Sequence, residues 1–144
     1  ATAMRFGGSV SDLAEMELCY APPYSSPKDP INYAGYIAEN VLSGRAPVKH
    51  WHDLAGRDEK KSVLLDVRTS EEYQQGHLKE SINIPVDELR ERLEELPEDK
   101  EIWVYCQVGL RGYIAQRILM QCRPGQGIYN LSGGYRLLTV AQLL

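Results

Sequence analysis

Trp103-Val104-Tyr105-Cys106-Gln107-Val108-Gly109-Leu110-Arg111-Gly112-Tyr113 is the stretch from which the fold of this 144-residue chain can be read. Ile102 to Tyr105 alternates β-branched and aromatic residues, as a buried strand does, and ends on Cys106. Gly109 and Gly112 allow a tight loop, and Ile114, Ala115, Ile118 and Leu119 beyond it recur at helical spacing. Cys106 therefore falls where a strand hands over to a helix. At such a junction backbone N–H groups converge at the positive end of a helix dipole and favour an anion. The anion here would be the Cys106 thiolate, with Arg111 as a permanent positive charge on the same loop. A cysteine alone is as often a small core residue. Two glycines and an arginine beside it are what an anion-holding nucleophile requires.

Cys106, Gly109 and Arg111 match the Cys-x-x-Gly-x-Arg active loop of rhodanese-type sulfurtransferases, and Asp66-Val67-Arg68 matches that family's early Asp-Val-Arg. Gly76-His77-Leu78, Ser81-Ile82-Asn83-Ile84-Pro85 and Leu131-x-Gly133-Gly134 resemble its remaining motifs. The ordered set is more specific than any one member of it, and the likeness runs from about Lys49 to Leu144. It implies an α/β fold, a rhodanese-like parallel five-stranded sheet with helices on both faces. In it Cys106 is the nucleophile and forms a persulfide. The resemblance also implies that Arg111 and the loop of Gln107, Val108, Gly109, Leu110 and Gly112 cradle the negative charge. Asp66 and Arg68 would brace that loop, and His77 would be structural, near a turn.

Composition bounds the alternatives. Charged residues are 25% and hydrophobic ones 43%, as in a soluble globular protein with a core. A net charge of -4 and a pI near 5.4, with no basic cluster, count against a nucleic-acid partner. No apolar run approaches the length of a transmembrane helix and no signal peptide is apparent, so no membrane is expected and the chain is read as cytoplasmic. Cys19, Cys106 and Cys122 are odd in number and widely spaced, which argues against a disulfide framework and a zinc site. His50 and His52 would share one strand face, but further metal ligands are missing. Cys122, at a helix end beside Arg123, sits at the negative pole and is expected to be the less reactive thiol.

Residues 1–47 do not read as a complete domain, and residues 48–144 form the second region. The leader carries Phe6, Met16, Leu18, Tyr20, Tyr24, Tyr33, Tyr36 and Ile37, considerable apolar surface for a segment below the ~50 residues that rarely build a core unaided. Proline and serine from Ala21 to Pro30 predict an irregular loop, followed by a helix from Asn32 that stops at Ser43-Gly44. Asp12-Leu13, Glu17 to Ser25, Lys28-Asp29-Pro30, Asn32 and Ala34-Gly35-Tyr36 resemble the end of the dimerisation domain of coenzyme A-disulfide reductases and NADH oxidases. These are flavin enzymes of the pyridine nucleotide-disulfide oxidoreductase family, some of which end in a rhodanese domain. The resemblance implies a parent enzyme, homodimeric, that uses FAD, NAD(P)H and coenzyme A. Tyr24 or Tyr20 would approach the partner's flavin site. No Gly-x-Gly-x-x-Gly occurs in this chain, so no cofactor is expected within it, and the reductase domains are expected N-terminal to it.

In the second region the pattern predicts strands at Val48 to Trp51, Val63 to Val67, Ser81 to Pro85, Ile102 to Tyr105 and Ile128 to Leu131. Helices are predicted after an N-cap at Ser70, over Val86 to Leu96, over Gly112 to Gln121 and from Gly134. Many thiosulfate-using relatives place a basic residue after the cysteine, where this loop has Gln107 and Val108. A persulfide on a larger carrier, coenzyme A or glutathione, suits such a loop better. Two other functions compete. A phosphatase of the related fold would need five residues between cysteine and arginine, where four stand here, and a non-catalytic binding or dimerisation tail would have no need of Cys106 and Arg111.

Overall fold

In the computed structural model, which describes residues 2–18, 23–24 and 28–141, the Ile102-to-Tyr105 run lies in the central strand of a five-stranded parallel sheet. The strands are β1 (Val48–Lys49), β2 (Ser62–Asp66), β3 (Ser81–Asn83), β4 (Glu101–Tyr105) and β5 (Ile128–Leu131), in the order β1-β5-β4-β2-β3. A parallel sheet is covered on both faces, and the period of two along β4 sorts its side chains between them. Ile102, Val104 and Cys106 enter one buried cluster with Leu65, Val67, Leu89, Ala115 and Leu119. Trp103 and Tyr105 enter another with Leu64, Leu78, Leu131 and Leu138. The first cluster is closed by helix α5 (Leu110–Cys122) and the second by helix α6 (Gly134–Val140), as the α/β arrangement requires.

Two units divide the chain, Ala1–Arg45 and Ala46–Leu144. In the first, α1 (Thr2–Arg5) precedes α2 (Val10–Glu15) and α3 (Pro30–Leu42). The side chain of Asn32, 2% exposed, donates to the carbonyls of Leu13, Ala14 and Met16 at 3.2, 3.3 and 2.8 Å, satisfying the end of α2 from within α3. Gly35 lets the two helices touch, since a Cβ there would lie 2.4 Å from the Ala14 nitrogen. Among the described residues of this unit Ala14 is the only buried hydrophobic one, while Met4, Phe6, Tyr33, Ile37 and Leu42 are exposed. Helix α3 opens at Pro30 rather than Asn32, because proline at a first helical position gives up no hydrogen bond.

In the second unit further sequence expectations differ from the structure. Val86 to Leu96 is not an α-helix: successive turns, with N–H of Glu88 to Pro85 O and of Glu91 to Glu88 O, lead to a 3-10 turn at Leu93–Glu95. Leu89 and Leu96 are buried there without helical winding, and Arg92 bonds both Glu88 and Glu95, which holds together a segment dense in acids. The strand predicted over Val48 to Trp51 stops at Lys49, and a 3-10 helix runs Trp51–Gly56; His50 and His52 stack on each other at 5.5 Å instead of lining a strand face. The N-cap of α4 (Ser70–Gln74) is Thr69, not Ser70. Thr69 has Glu72 three residues on, completing a capping box that Ser70, followed by Tyr73 at that spacing, lacks. No described helix is long and apolar enough to cross a membrane.

Candidate functional site

Asp66 of β2 stands in register with Tyr105 of β4, so the residues after the two strands, Val67-Arg68 and Cys106-Gln107, share one rim at the C-terminal edge. Ligands of parallel sheets bind at that edge. Cys106 is 1% exposed, and its Sγ accepts a hydrogen bond from the Gly109 N–H at 3.1 Å. Gly109 also caps α5, so the sulfur lies against the end of a helix whose first-turn N–H groups have no carbonyl partner within the helix. Behind the loop, the N–H groups of Tyr135 and Arg136 donate to the carbonyls of Cys106 and Gln107 at 2.8 and 3.0 Å. Gly134 is needed for that approach, because a Cβ would sit 2.4 Å from the Cys106 carbonyl oxygen.

Asp66 and Arg68 form a buried pair: Arg68 Nε and Nη2 donate to the carboxylate at 3.0 and 2.7 Å, with both residues at 2% exposure or less. The remaining guanidinium donors reach Gln107 Oε1 at 3.2 Å and the Gly76 carbonyl at 2.7 Å, and the cation lies 4.1 Å from the Tyr135 ring. Arg68 thus ties β2, the active loop and α6 together, and paired burial makes its charge tolerable. Tyr105 adds a second tie beneath. Its hydroxyl donates to Ser81 Oγ at 2.9 Å and accepts from the Leu78 N–H, and burial raises its ionisation well above the usual tyrosine range.

Arg111 has a partner that the sequence did not suggest. Its Nη1 and Nη2 donate to Glu72 Oε2 and Oε1 at 2.6 and 2.8 Å, a bidentate pair about one-third exposed on each side. Glu72 also accepts from the Thr69 N–H at 3.0 Å as the acidic member of the α4 capping box. Arg111, together with burial that acts the other way and with that N–H, holds its carboxyl down to about 2. The Thr-x-x-Glu spacing was the available signal for Glu72. Asn130 is the other residue missed. Its Nδ2 donates to the Gly109 carbonyl at 3.3 Å, and its Oδ1 lies where a Cβ on Gly112 would come within 2.3 Å.

Val108 and Leu110 point outward, 55% and 70% exposed, and form an apolar shoulder on the loop. His77 packs on α4: its ring stacks on Tyr73 at 3.7 Å, and Nδ1 lies 2.9 Å from the Tyr73 carbonyl. Cys122 is exposed at the end of α5, and Tyr24 is 90% exposed. Cys19 and Tyr20 lie outside the described residues. Among the described residues no cluster of histidine, cysteine and acidic side chains has the makings of a metal site.

The rhodanese-like domain family matches residues 51–139. Reduced Bacillus anthracis CoADR-RHD superposes at a TM-score of 0.88 with 48% identity, covering 99% of this chain and 25% of its own. A NAD-dependent persulfide reductase from A. fulgidus does so at 0.76 with 38% identity, covering 94% and 24%. A sulfurtransferase of Allochromatium vinosum is 36% identical over 72 residues, 50% of this chain and 66% of that protein. This chain spans about a quarter of the two structures' length and under two-thirds of that sulfurtransferase. With 99% and 94% of this chain covered, the two structural matches include the leader as well as the sheet. The chain belongs to the rhodanese-like domain family.

Proposed function

We propose that Cys106 carries sulfane sulfur from an organic persulfide to a thiol acceptor, as the sulfurtransferase part of a flavin-dependent persulfide, polysulfide or coenzyme A-disulfide reductase. The observation that carries the proposal is the Gly109 N–H aimed at Cys106 Sγ at the start of α5. The thiolate attacks the outer sulfur of R–S–SH. A bond forms between that sulfur and Cys106, the donor S–S bond breaks, and R–S⁻ leaves with the proton as R–SH. The Cys106 persulfide then yields its outer sulfur to an acceptor thiolate, which restores the Cys106 thiolate. No net oxidation or reduction occurs in the exchange. Loop N–H groups face the anion present at each stage, as in other preorganised sites. A sulfur this enclosed favours a donor that presents one terminal atom, and Val108 and Leu110 offer contact to its organic stem.

FAD and NAD(P)H, when bound in a parent enzyme, would supply reducing electrons. The sequence holds no Gly-x-Gly-x-x-Gly fingerprint, and no step above passes through them. Tyr24 would serve the partner's flavin site in a homodimeric parent, and its exposure leaves it available for that contact. Mass spectrometry after treatment with candidate donors tests the proposal. Gain of one sulfur on Cys106 from a persulfide, absent in Cys106→Ser, is expected; sulfur on Cys19 or Cys122 instead would overturn it.

A further inference from the structure

The two arginines whose guanidinium groups serve the active loop, Arg68 and Arg111, are each matched by a carboxylate. Arg68 is committed to Asp66 and Arg111 to Glu72, and the residues between Cys106 and Gly109 are uncharged. These four charged side chains sum to zero. Glu72 is held by three hydrogen bonds, two from Arg111 and one from Thr69, so the neutralisation is built into the start of α4 rather than left to a loose surface contact. Arg111 stands in the first turn of α5, whose cap residue Gly109 donates to Cys106 Sγ, so its charge would count at the sulfur if it were free.

We propose that Glu72 is a specificity-determining residue. By pairing Arg111 it cancels that arginine's positive charge, and it thereby favours organic persulfides, whose sulfur end carries at most one negative charge, over small dianionic sulfur donors. The proposal rests on the sulfur-transfer function proposed above. A dianion gains twice as much as a monoanion from an unpaired guanidinium, and loses twice as much when that charge is cancelled. For charges roughly 6 Å apart at an effective dielectric of roughly 40, Coulomb's law makes such a differential about tenfold in rate.

The test compares two probes on the intact chain, thiosulfate and N-acetylcysteamine persulfide, by initial rates of sulfur uptake on Cys106. With thiosulfate the thiolate takes the outer sulfur and sulfite leaves, so both probes yield the same Cys106 persulfide. Glu72→Gln keeps an oxygen for the Thr69 N–H while removing the charge. Its thiosulfate-to-persulfide rate ratio is expected to rise about tenfold over that of the natural chain, from the same Coulomb difference. In Glu72→Gln with Arg111→Gln the ratio should return. An unchanged ratio in Glu72→Gln, or an equal rise in the double variant, overturns the proposal.

Salt provides a check that requires no variant. With a neutral loop, thiosulfate uptake by the natural chain should change less than about twofold between roughly 0.05 and 0.5 M NaCl, since no net attraction is screened. A steep fall with salt overturns the proposal. A natural chain that takes sulfur from neither probe overturns the sulfur-transfer function and this proposal with it. Uptake from the persulfide with an unmoved ratio overturns this proposal alone.

Discussion

The N–H of Gly109 donates to the Cys106 sulfur across 3.1 Å, and Gly109 holds φ at +148° to aim it. An L-residue rarely adopts that backbone, although nothing lies within 4 Å to obstruct an added methyl. Gly109→Ala should therefore act through conformation alone. We expect a stability loss of about 1–3 kcal/mol in urea unfolding. Sulfur uptake on Cys106 should slow by at least about tenfold, because the donor is turned off the sulfur. Uptake at the natural rate in a destabilised variant would show that this N–H is dispensable.

Removing Arg111 should injure chemistry more than folding. Arg111→Ala leaves Glu72 uncompensated beside an anionic intermediate, an effect of about 2 to 4 kcal/mol on the barrier by analogy with lost oxyanion donors. Stability should change less, since an ion pair one-third exposed on each side contributes little. Adding Glu72→Gln to Arg111→Ala should recover part of the rate. Equal losses in rate and stability would mean that Arg111 serves the fold.

Asp66 and Arg68 call for the opposite expectation. Asp66→Ala strands a buried guanidinium and should cost about 3–5 kcal/mol, read from the denaturant midpoint. Asp66→Leu with Arg68→Met removes both charges and should regain most of that stability. It should remain slow in sulfur uptake, because the tie to Gln107 is gone. A double variant as unstable as Asp66→Ala would show that the pair contributes to folding beyond avoiding an unpaired charge.

Glu72 makes the fold acid-sensitive over a defined range. Its carboxyl is held near 2 against an ordinary 4.5, so the unfolded chain binds this proton first. Its stabilising contribution is complete above about pH 4.5 and fades as the pH falls toward about 2, in the direction linkage requires for a depressed carboxyl. Urea midpoints of the natural chain between pH 6 and pH 2 should fall more steeply than those of Glu72→Gln. Parallel curves would show that the ion pair is not kept in solution.

Much of this protein was legible locally. The alternation from Ile102 to Tyr105, the glycines after Cys106 and the helical spacing beyond them depend on neighbours along the chain, so strand, loop and helix could be read without the fold. Leu131-x-Gly133-Gly134 was legible as a motif, but its purpose was not. Only the folded chain shows that Gly134 clears space for the Cys106 carbonyl. Val86 to Leu96 misled because leucines buried from a run of turns recur at the same spacing as those on one face of a helix.

Sequence by itself determined which residue is the nucleophile candidate and that it follows a buried strand, because periodicity and turn chemistry are short-range. Tertiary structure alone decided the charge of its surroundings. Glu72 and Arg111 are 39 residues apart, and they meet because β2 and β4 are adjacent and in register, which brings the start of α4 beside the start of α5. Coulomb energy depends on distance in space, and no spacing along the chain records that distance.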